Sequence, residues 1–447
     1  MTSFQSAAES LLALGHELHN GPSPKFDLAH IGILCHALGD PQRSFPSVLI
    51  AGTNGKGSTA ATLAAILRAS GHRVGLYTSP HLLRMNERIC LQGEPISDAA
   101  FAASYDRVNA VAVRLVAASA LPHLPSFFET VTAMAFDCFA ASGVEIAVLE
   151  VGMGGRLDAT NIVEPILSVI TDIDLDHQKF LGDTLAEIAR EKAGILRSNV
   201  PAVTLPQHPE ANLVLGECIA SLGARAVSAT RNMPSLSPQS STLADSSSMQ
   251  TRFPLNVLGK QVEIVSPLVG RHQLRNLALA ITAAEELAAQ GFRVTPESIA
   301  SGTRQTCWPG RFQRYAAIAT RPEIIIDVAH NPAGALALCA ALNEQMDERP
   351  LVLLFGAMAD KAVDEIARIL WPRMAHVVLT RTANNSRAAS TVELAALAQS
   401  LGVQHSLSLS VRHGVELATA QALARPHSVV VIAGSIYVAG EAMQALP

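Results

Sequence analysis

Lys56 stands between two glycines and two residues before Ser58, in the run Gly52-Thr-Asn-Gly55-Lys56-Gly57-Ser58. Glycines let backbone N–H groups approach phosphate oxygens. The lysine adds a point charge, and the hydroxyl can reach a metal ion or a phosphate. The spacing departs from G-x-x-x-x-G-K-[ST], because Ile50 replaces the first glycine and Gly57 separates Lys56 from Ser58. The bland alternative is a turn that merely needs glycines. Ser79, Glu150, Asp176 and His177 are a second polar set. Mg²⁺ takes oxygen ligands, usually few carboxylates with phosphates and waters, so Ser79 and Glu150 suit it. By spacing alone His177 reads as a histidine opening a helix and bonded to a neighbouring carbonyl. Lys192 has Ile188 at i−4 and Ala189 at i−3, hence no acidic helical partner. It reads as a solvated surface lysine, although a neutral lysine can react with CO₂ to a carbamate whose oxygens bind metal. In the second half, Asp327 and His330 fall where a strand gives way to a helix. Arg311 is a further candidate for an anion or nucleotide. The alternative is that Asp327 and Asn331 only cap that helix.

These residues need elements to hold them. Ser47–Ile50 is a short apolar run before the glycine loop, and a helix over 59–70 follows it. The pattern predicts helices over 6–18, 26–38, 98–118, 130–141 and 183–194, with Ser126-Phe-Phe-Glu129 opening the fourth. It predicts strands over 74–79, 145–151 and 166–171. An alanine-rich helix runs from Gly270-Arg-His-Gln-Leu-Arg-Asn276 to about residue 290. Alternating strands and helices imply a parallel sheet wrapped by helices, with ligands outside the strands' carboxyl ends. Residues 228–250, rich in Ser, Pro and Gln, read as a surface insertion without a core. A boundary falls near 303–309. Beyond it a second doubly wound unit has strands at 323–328, 351–357, 375–381 and 428–433, and helices at 332–346, 360–370, 391–401 and 413–424. The expected domains are 1–303 and 304–447.

Composition narrows the class. Hydrophobic residues make up 49% and charged residues 16%, as in a globular chain. The net charge of −5 and 4% aromatic content argue against a nucleic-acid partner. Six scattered cysteines without a C-x-x-C pair read as free thiols in a reducing compartment. The N-terminus lacks the pattern of a secretory signal, and no apolar run suits a membrane span, so the expectation is a cytoplasmic protein without a membrane partner.

The ordered set of short motifs resembles the bacterial folylpolyglutamate synthases, in particular the bifunctional dihydrofolate synthase form, among the Mur-ligase-like ATP-dependent amide ligases. Its carriers are G-T-N-G-K-G-S (52–58), T-S-P-H-L (78–82), F-F-E (127–129), E-V-G-M-G-G-R-L-D-A-T-N (150–161), L-D-H (175–177), E-K-A-G-I (191–195), G-R-H-Q-L-R-N (270–276), W-P-G-R-F (308–312), D-V-A-H-N-P (327–332), A-D-K (359–361) and G-S-I-Y (434–437). The resemblance implies an α/β fold: a Mur-ligase-type domain with a phosphate loop and a mainly parallel sheet, then a Rossmann-like doubly wound C-terminal domain. It implies Mg²⁺, in two ions, held by Ser79, Glu150, His177 and a carbamylated Lys192. It implies ATP bound by Gly55, Lys56, Gly57, Ser58, Asn276, Arg311 and Asp327. The dihydropteroate or folate pocket would use Asp27, Leu28, Ala29, Ser126, Phe127, Phe128, Glu129, Leu157, Asp158 and Ala159. Lys56, Lys192 and His330 would be catalytic, His330 matching a histidine at a cleft between domains. Val328 replaces a usual glycine, Met153 replaces a usual leucine, and the serine-rich insertion is longer than expected.

The implied chemistry is activation of a carboxylate by ATP to an acyl phosphate, then attack by the amine of L-glutamate. Partners would be ATP, L-glutamate, dihydropteroate and reduced folates, acting on a monomer. Two readings stand beside it. One is a folylpolyglutamate synthase without dihydropteroate activity, against which Asp27 and the pair Phe127 and Phe128 weigh, since an aromatic ring can stack on a pterin. The other is a phosphate-loop NTPase without bond-forming chemistry.

Overall fold

The computed structural model describes residues 2–15, 27–234, 250–346, 348–383 and 385–446. It divides into two compact units. The first holds the described residues up to 234 with Arg252–Ser266 and Leu274–Cys307. The second holds 250–251, Pro267–Gln273 and the chain from Trp308 onward.

The first unit is built on an eight-stranded sheet. In chain order its strands are β1 (Ser47–Ala51), β2 (Val74–Tyr77), β3 (Ile89–Leu91), β4 (Glu94–Pro95), β5 (Ile146–Glu150), β6 (Leu167–Ile170), β7 (Pro201–Thr204) and β8 (Arg225–Ser228). Their spatial order is β4-β3-β2-β5-β1-β6-β7-β8. All pairs are parallel except β2–β3 and β3–β4. The central strand β1 is buried at every position. Leu49 and Ala51 enter one core with Phe136 and Phe139 of the helix Phe127–Ala141. Val48 and Ile50 enter another with Leu63 and Leu67 of the helix Lys56–Ala69 and Leu277 and Ile281 of the helix Arg271–Ala289. Burial on both faces is why β1 reads as an unbroken apolar run rather than an alternation. The chain leaves β1 toward β2 on one side and returns through β6 on the other. The carboxyl ends of β5, β1 and β6 therefore flank a topological switch point, where open α/β sheets bind ligands. A two-stranded pair, β9 (Thr251–Val257) with β10 (Lys260–Ser266), completes this part.

Among the described residues, the second unit has a six-stranded sheet: β11 (Gln313–Tyr315), β12 (Glu323–Ile326), β13 (Leu351–Phe355), β14 (His376–Leu379), β15 (His405–Leu407) and β16 (Val429–Ala433), in the order β11-β12-β16-β13-β14-β15. Only β11 runs antiparallel. The expected helices here occur as Pro332–Met346, Val363–Leu370, Thr391–Ser400 and Val411–Leu423.

Some boundaries differ from expectation. The first helix spans Phe4–Ala13, because Ser3 caps it by accepting from Ser6 N; residues 16–18 lie outside the described residues. The second spans Ala29–Ala37. Of the predicted insertion, residues 229–232 form a 3₁₀ turn, and 235–249 lie outside the described residues. Among the described residues, no helix is long and apolar enough to cross a membrane.

Candidate active site

The glycine loop leaves the end of β1 and turns directly into the helix Lys56–Ala69. Gly55 adopts φ +87°, and a side chain there would run into Asn276 Oδ1, so only glycine fits. Gly55 gives the helix no side-chain cap, which leaves the first-turn amides and the positive end of the helix dipole as an anion site. Ser58 is buried in that first turn, beside Gly57.

Two lysines converge on one carbonyl. Lys56 Nζ donates to Gly52 O (3.1 Å) and Thr53 O (3.2 Å), and Lys192 Nζ donates to the same Gly52 O (2.8 Å). Lys192 is only 3% exposed, which corrects its reading as a solvated surface lysine. The helix Leu185–Ala193 buries Ile188, Ala189, Lys192 and Ala193 as one face. The apolar residues at i−4 and i−3 were therefore a sign that Lys192 points inward. Burial pushes its pKa down to about 7, and the charge of Lys56 adds to the fall, while Asp176 and Asp158 oppose it. The turn after β5 makes room for this helix: a Cβ on Gly155 would collide with the carbonyls of Glu191 and Lys192. Arg156 N donates to Glu191 O (2.8 Å), and the Arg156 side chain pairs with the Glu191 carboxylate (2.9 Å).

Glu150 ends β5 opposite Ile50 of β1 and is buried. Ser79 N donates to its Oε2 (3.3 Å), so the two oxygen donors are neighbours. His177 opens the short helix Gln178–Leu181 in the left-handed region, φ +52°. Its amide donates to Asp176 Oδ1 (2.8 Å), and its ring Nε2 lies 3.9 Å from Asp176 Oδ2. This is the helix-opening position that the spacing predicted. Among the described residues, no three of His, Cys, Asp and Glu cluster tightly enough to hold a metal by themselves. Any metal held here would need further oxygen ligands, of the hydroxyl, phosphate and water kind that Mg²⁺ takes.

The candidate pterin residues separate into different kinds. Ser126 and Glu129 form a capping box: Ser126 N and Oγ donate to Glu129 Oε2 (2.8 and 2.7 Å), and Glu129 N donates back to Ser126 Oγ (3.3 Å). Phe127 is buried in the core, with the Arg88 guanidinium 5.0 Å from its ring centroid. Phe128 is only partly buried; its ring packs on Gly152 and lies 6.1 Å from Tyr77. Asp158 is buried and accepts from Thr160 N (3.0 Å), Thr160 Oγ1 (2.6 Å) and Met153 N (3.0 Å); burial raises its pKa against these bonds. Leu157 is partly buried and Ala159 buried beside it. Asp27 and Ala29 are exposed around Leu28, and Asp27 Oδ1 accepts from Ala29 N. His30 and His123 pack edge to face, 4.8 Å between centroids, and so join the 27–30 and 123–126 segments.

In the second unit Asp327 follows β12, and its Oδ2 and Oδ1 accept from Phe312 N (2.8 Å) and Ala329 N (2.9 Å). Burial raises its pKa, opposed first by Arg311 and then by His272. Helix capping falls to Asn331 instead, whose Oδ1 accepts from Gly334 N (2.8 Å). Val328, in place of a glycine, is buried, donates to Gly310 O (2.9 Å), and offers its own carbonyl to His330 Nδ1 (2.9 Å). A carbonyl only accepts, so Nδ1 carries the proton and a neutral His330 keeps its basic nitrogen at Nε2.

The motif pattern pointed past one contact. Arg88, itself buried, donates from Nε to His81 Nδ1 (2.9 Å), and burial followed by the Arg88 charge lowers the His81 pKa to about 3. His81 is thus a neutral acceptor near Ser79, a role that its place in T-S-P-H-L did not reveal.

Comparison with known proteins identifies the family. Residues 124–284 match the Mur ligase middle domain, and residues 310–436 match the Mur ligase glutamate ligase domain. The chain is 36% identical to a folylpolyglutamate synthase of Lacticaseibacillus casei over 94% of each chain. It is 37% identical to the Mycobacterium tuberculosis dihydrofolate synthase/folylpolyglutamate synthase, over 87% of this chain and 81% of that one. Among solved structures it resembles M. tuberculosis folylpolyglutamate synthase complexed with ADP and AMPPCP (TM-score 0.82, 34% identity, 98% of each chain). It also resembles an E. coli enzyme in complex with DHPP and ADP (TM-score 0.80, 28% identity, 99% of this chain and 98% of that one). With a phosphate loop at the switch point of one sheet and a second doubly wound unit later in the sequence, the chain belongs to the dihydrofolate synthase/folylpolyglutamate synthase family of Mur ligases.

Proposed function

We propose that this protein uses ATP to join L-glutamate to dihydropteroate and to the γ-carboxylate of reduced folates. The observation that carries the proposal is the convergence of Lys56 and Lys192 on Gly52 O, at the end of β1 and one strand from Glu150. A carboxylate is a poor acyl donor at neutral pH. Its oxygen attacks the γ-phosphorus of ATP, giving an acyl phosphate and ADP. Lys56 and the amides from Gly55 to Ser58 offset the charge of the transferring phosphoryl group. The amine of glutamate then attacks the carbonyl, the amide bond forms, and phosphate leaves with the former carboxylate oxygen. We assign Asn276, Arg311 and Asp327 to ATP, and His330, through Nε2, to the glutamate half of the reaction.

Ser79, Glu150, His177 and a carbamylated Lys192 would hold Mg²⁺. Bound there, the ion would neutralise phosphate charge. The lowered pKa of Lys192 leaves a substantial neutral fraction at pH 7, the form that takes up CO₂. Phe128, Leu157, Asp158 and the 27–29 segment are our candidates for the pterin side. The burial of Phe127 lends weight to a second reading, chain extension of folates alone, because it leaves Phe128 as the more accessible of the two rings. The scattered free thiols fit a reducing, cytoplasmic compartment, and we take the protein to act as a monomer. The acyl phosphate is tested by labelling the acceptor carboxylate with ¹⁸O: one label per turnover appears in inorganic phosphate if the scheme holds. Unlabelled phosphate would reject it.

A further inference from the structure

The exit of β6 carries an ion pair that none of these assignments uses. Arg275 donates from Nε to both Asp172 oxygens (2.8 and 3.0 Å) and from Nη2 to Asp172 Oδ1 (2.6 Å) and Pro206 O (2.9 Å). This is the forked geometry that makes guanidinium–carboxylate pairs directional. The backbone of Asp172 faces the other way. Its carbonyl accepts from Thr53 N (2.8 Å) and Asn54 N (3.2 Å), so Asn54 and Asp172 form an isolated antiparallel bridge. Two residues on, Thr53 Oγ1 donates to Asp174 O (2.9 Å) and accepts from Asp174 N (3.0 Å). Next to Arg275 in sequence, Asn276 is 4% exposed, and its Oδ1 fills the space that a side chain on Gly55 would need. Asp172 thus grips the glycine loop through its backbone and the helix Arg271–Ala289 through its side chain.

We propose that the Asp172–Arg275 pair is a positioning clamp for the nucleotide. It ties the helix that carries Asn276 to the loop that carries Lys56, and so sets the register of Asn276 over Gly55. The amides of Thr53 and Asn54 are spent on Asp172, and a phosphate therefore meets the amides from Gly55 onward. The two side chains are 29% and 33% exposed, so solvent screens part of their attraction. Their leverage is geometric, because both ends are fixed to the elements that must stay in register. The inference rests on the reading of the loop as the ATP site.

The test is ADP affinity by titration calorimetry for the wild type, R275L, R275K, D172A and the double variant R275L/D172A, with urea midpoints and the KM for dihydropteroate measured alongside. R275L and D172A are each expected to weaken ADP about 10-fold, as misplacement of a binding group does. The double variant should be no weaker than either single one, and R275K should recover part of the loss. Urea midpoints and the dihydropteroate KM should hardly move. ADP affinity unchanged in R275L, or a loss matched by the dihydropteroate KM and the urea midpoint, would overturn the clamp. A wild-type protein that binds no ADP would overturn the ATP reading itself, and the clamp with it.

Discussion

A lysine that is 3% exposed and shares a carbonyl with a second lysine holds its charge at a cost. The fall of the Lys192 pKa to about 7, from 10.5, expresses that cost and gives it a direction. Between those values the unfolded chain binds the extra proton and the folded chain does not, so stability rises with pH across the window. Below about 7 the folded chain carries the full penalty of the buried charge. In CO₂-free buffer the urea midpoint of the wild type should therefore climb between pH 7 and 10, and Lys192→Met should flatten the climb. Activity of Lys192→Ala should drop about 100-fold or more and no longer respond to added bicarbonate, as loss of a metal-site ligand would produce. An active Lys192→Ala enzyme would remove the carbamate from the account. The phenylalanine pair divides similarly. Phe127→Ala should destabilise the fold by about 3–5 kcal/mol, as emptying a core site does. Phe128→Ala should instead raise the KM for dihydropteroate while leaving the ATP KM and the urea midpoint near wild type. The letters F-F could not say which ring faces the core. That depends on the Ser126–Glu129 capping box, which sets the phase of the helix.

At the scale of elements, the turn from β1 into the helix Lys56–Ala69 is the most constrained piece. Gly55→Ala puts a Cβ into Asn276 Oδ1 and asks alanine for φ +87°, a backbone state costing about 1–2 kcal/mol. Nucleotide affinity should fall at least 10-fold in a calorimetric titration, with a modest fall in the thermal midpoint. This turn was legible because glycine, lysine and hydroxyl each have a physical reason to be there. The buried strands β1, β5, β12, β13 and β16 were legible for the opposite reason, as unbroken apolar runs between turn residues. Strand β8 was not: three of its four positions are exposed, so it carries no apolar pattern and is held by pairing with β7. The edge strand β15 escaped notice likewise, since none of its residues is fully buried. The Asp172–Arg275 pair spans 103 residues of chain, and neither residue's neighbours announce the other.

For the whole molecule, the second alternation of strands and helices after the W-P-G-R run was the most informative coarse signal. A second doubly wound unit is superfluous for a simple phosphate-loop switch but has a use when a second substrate must be held. Each unit has its own buried sheet, the first organised on β1 and the second on β13 and β16. What composition could not supply was the identity of that second substrate, which rests on a few polar residues among many. The most direct measurement is phosphate release from Mg²⁺-ATP with and without L-glutamate, using dihydropteroate and a tetrahydrofolate in turn as acceptor, with the products weighed by mass spectrometry. Turnover should require glutamate with both acceptors and give products heavier by one glutamyl residue. Turnover with the folate alone would contradict the dihydropteroate half of the claim. ATP hydrolysis indifferent to glutamate and to both acceptors would contradict the claim entirely.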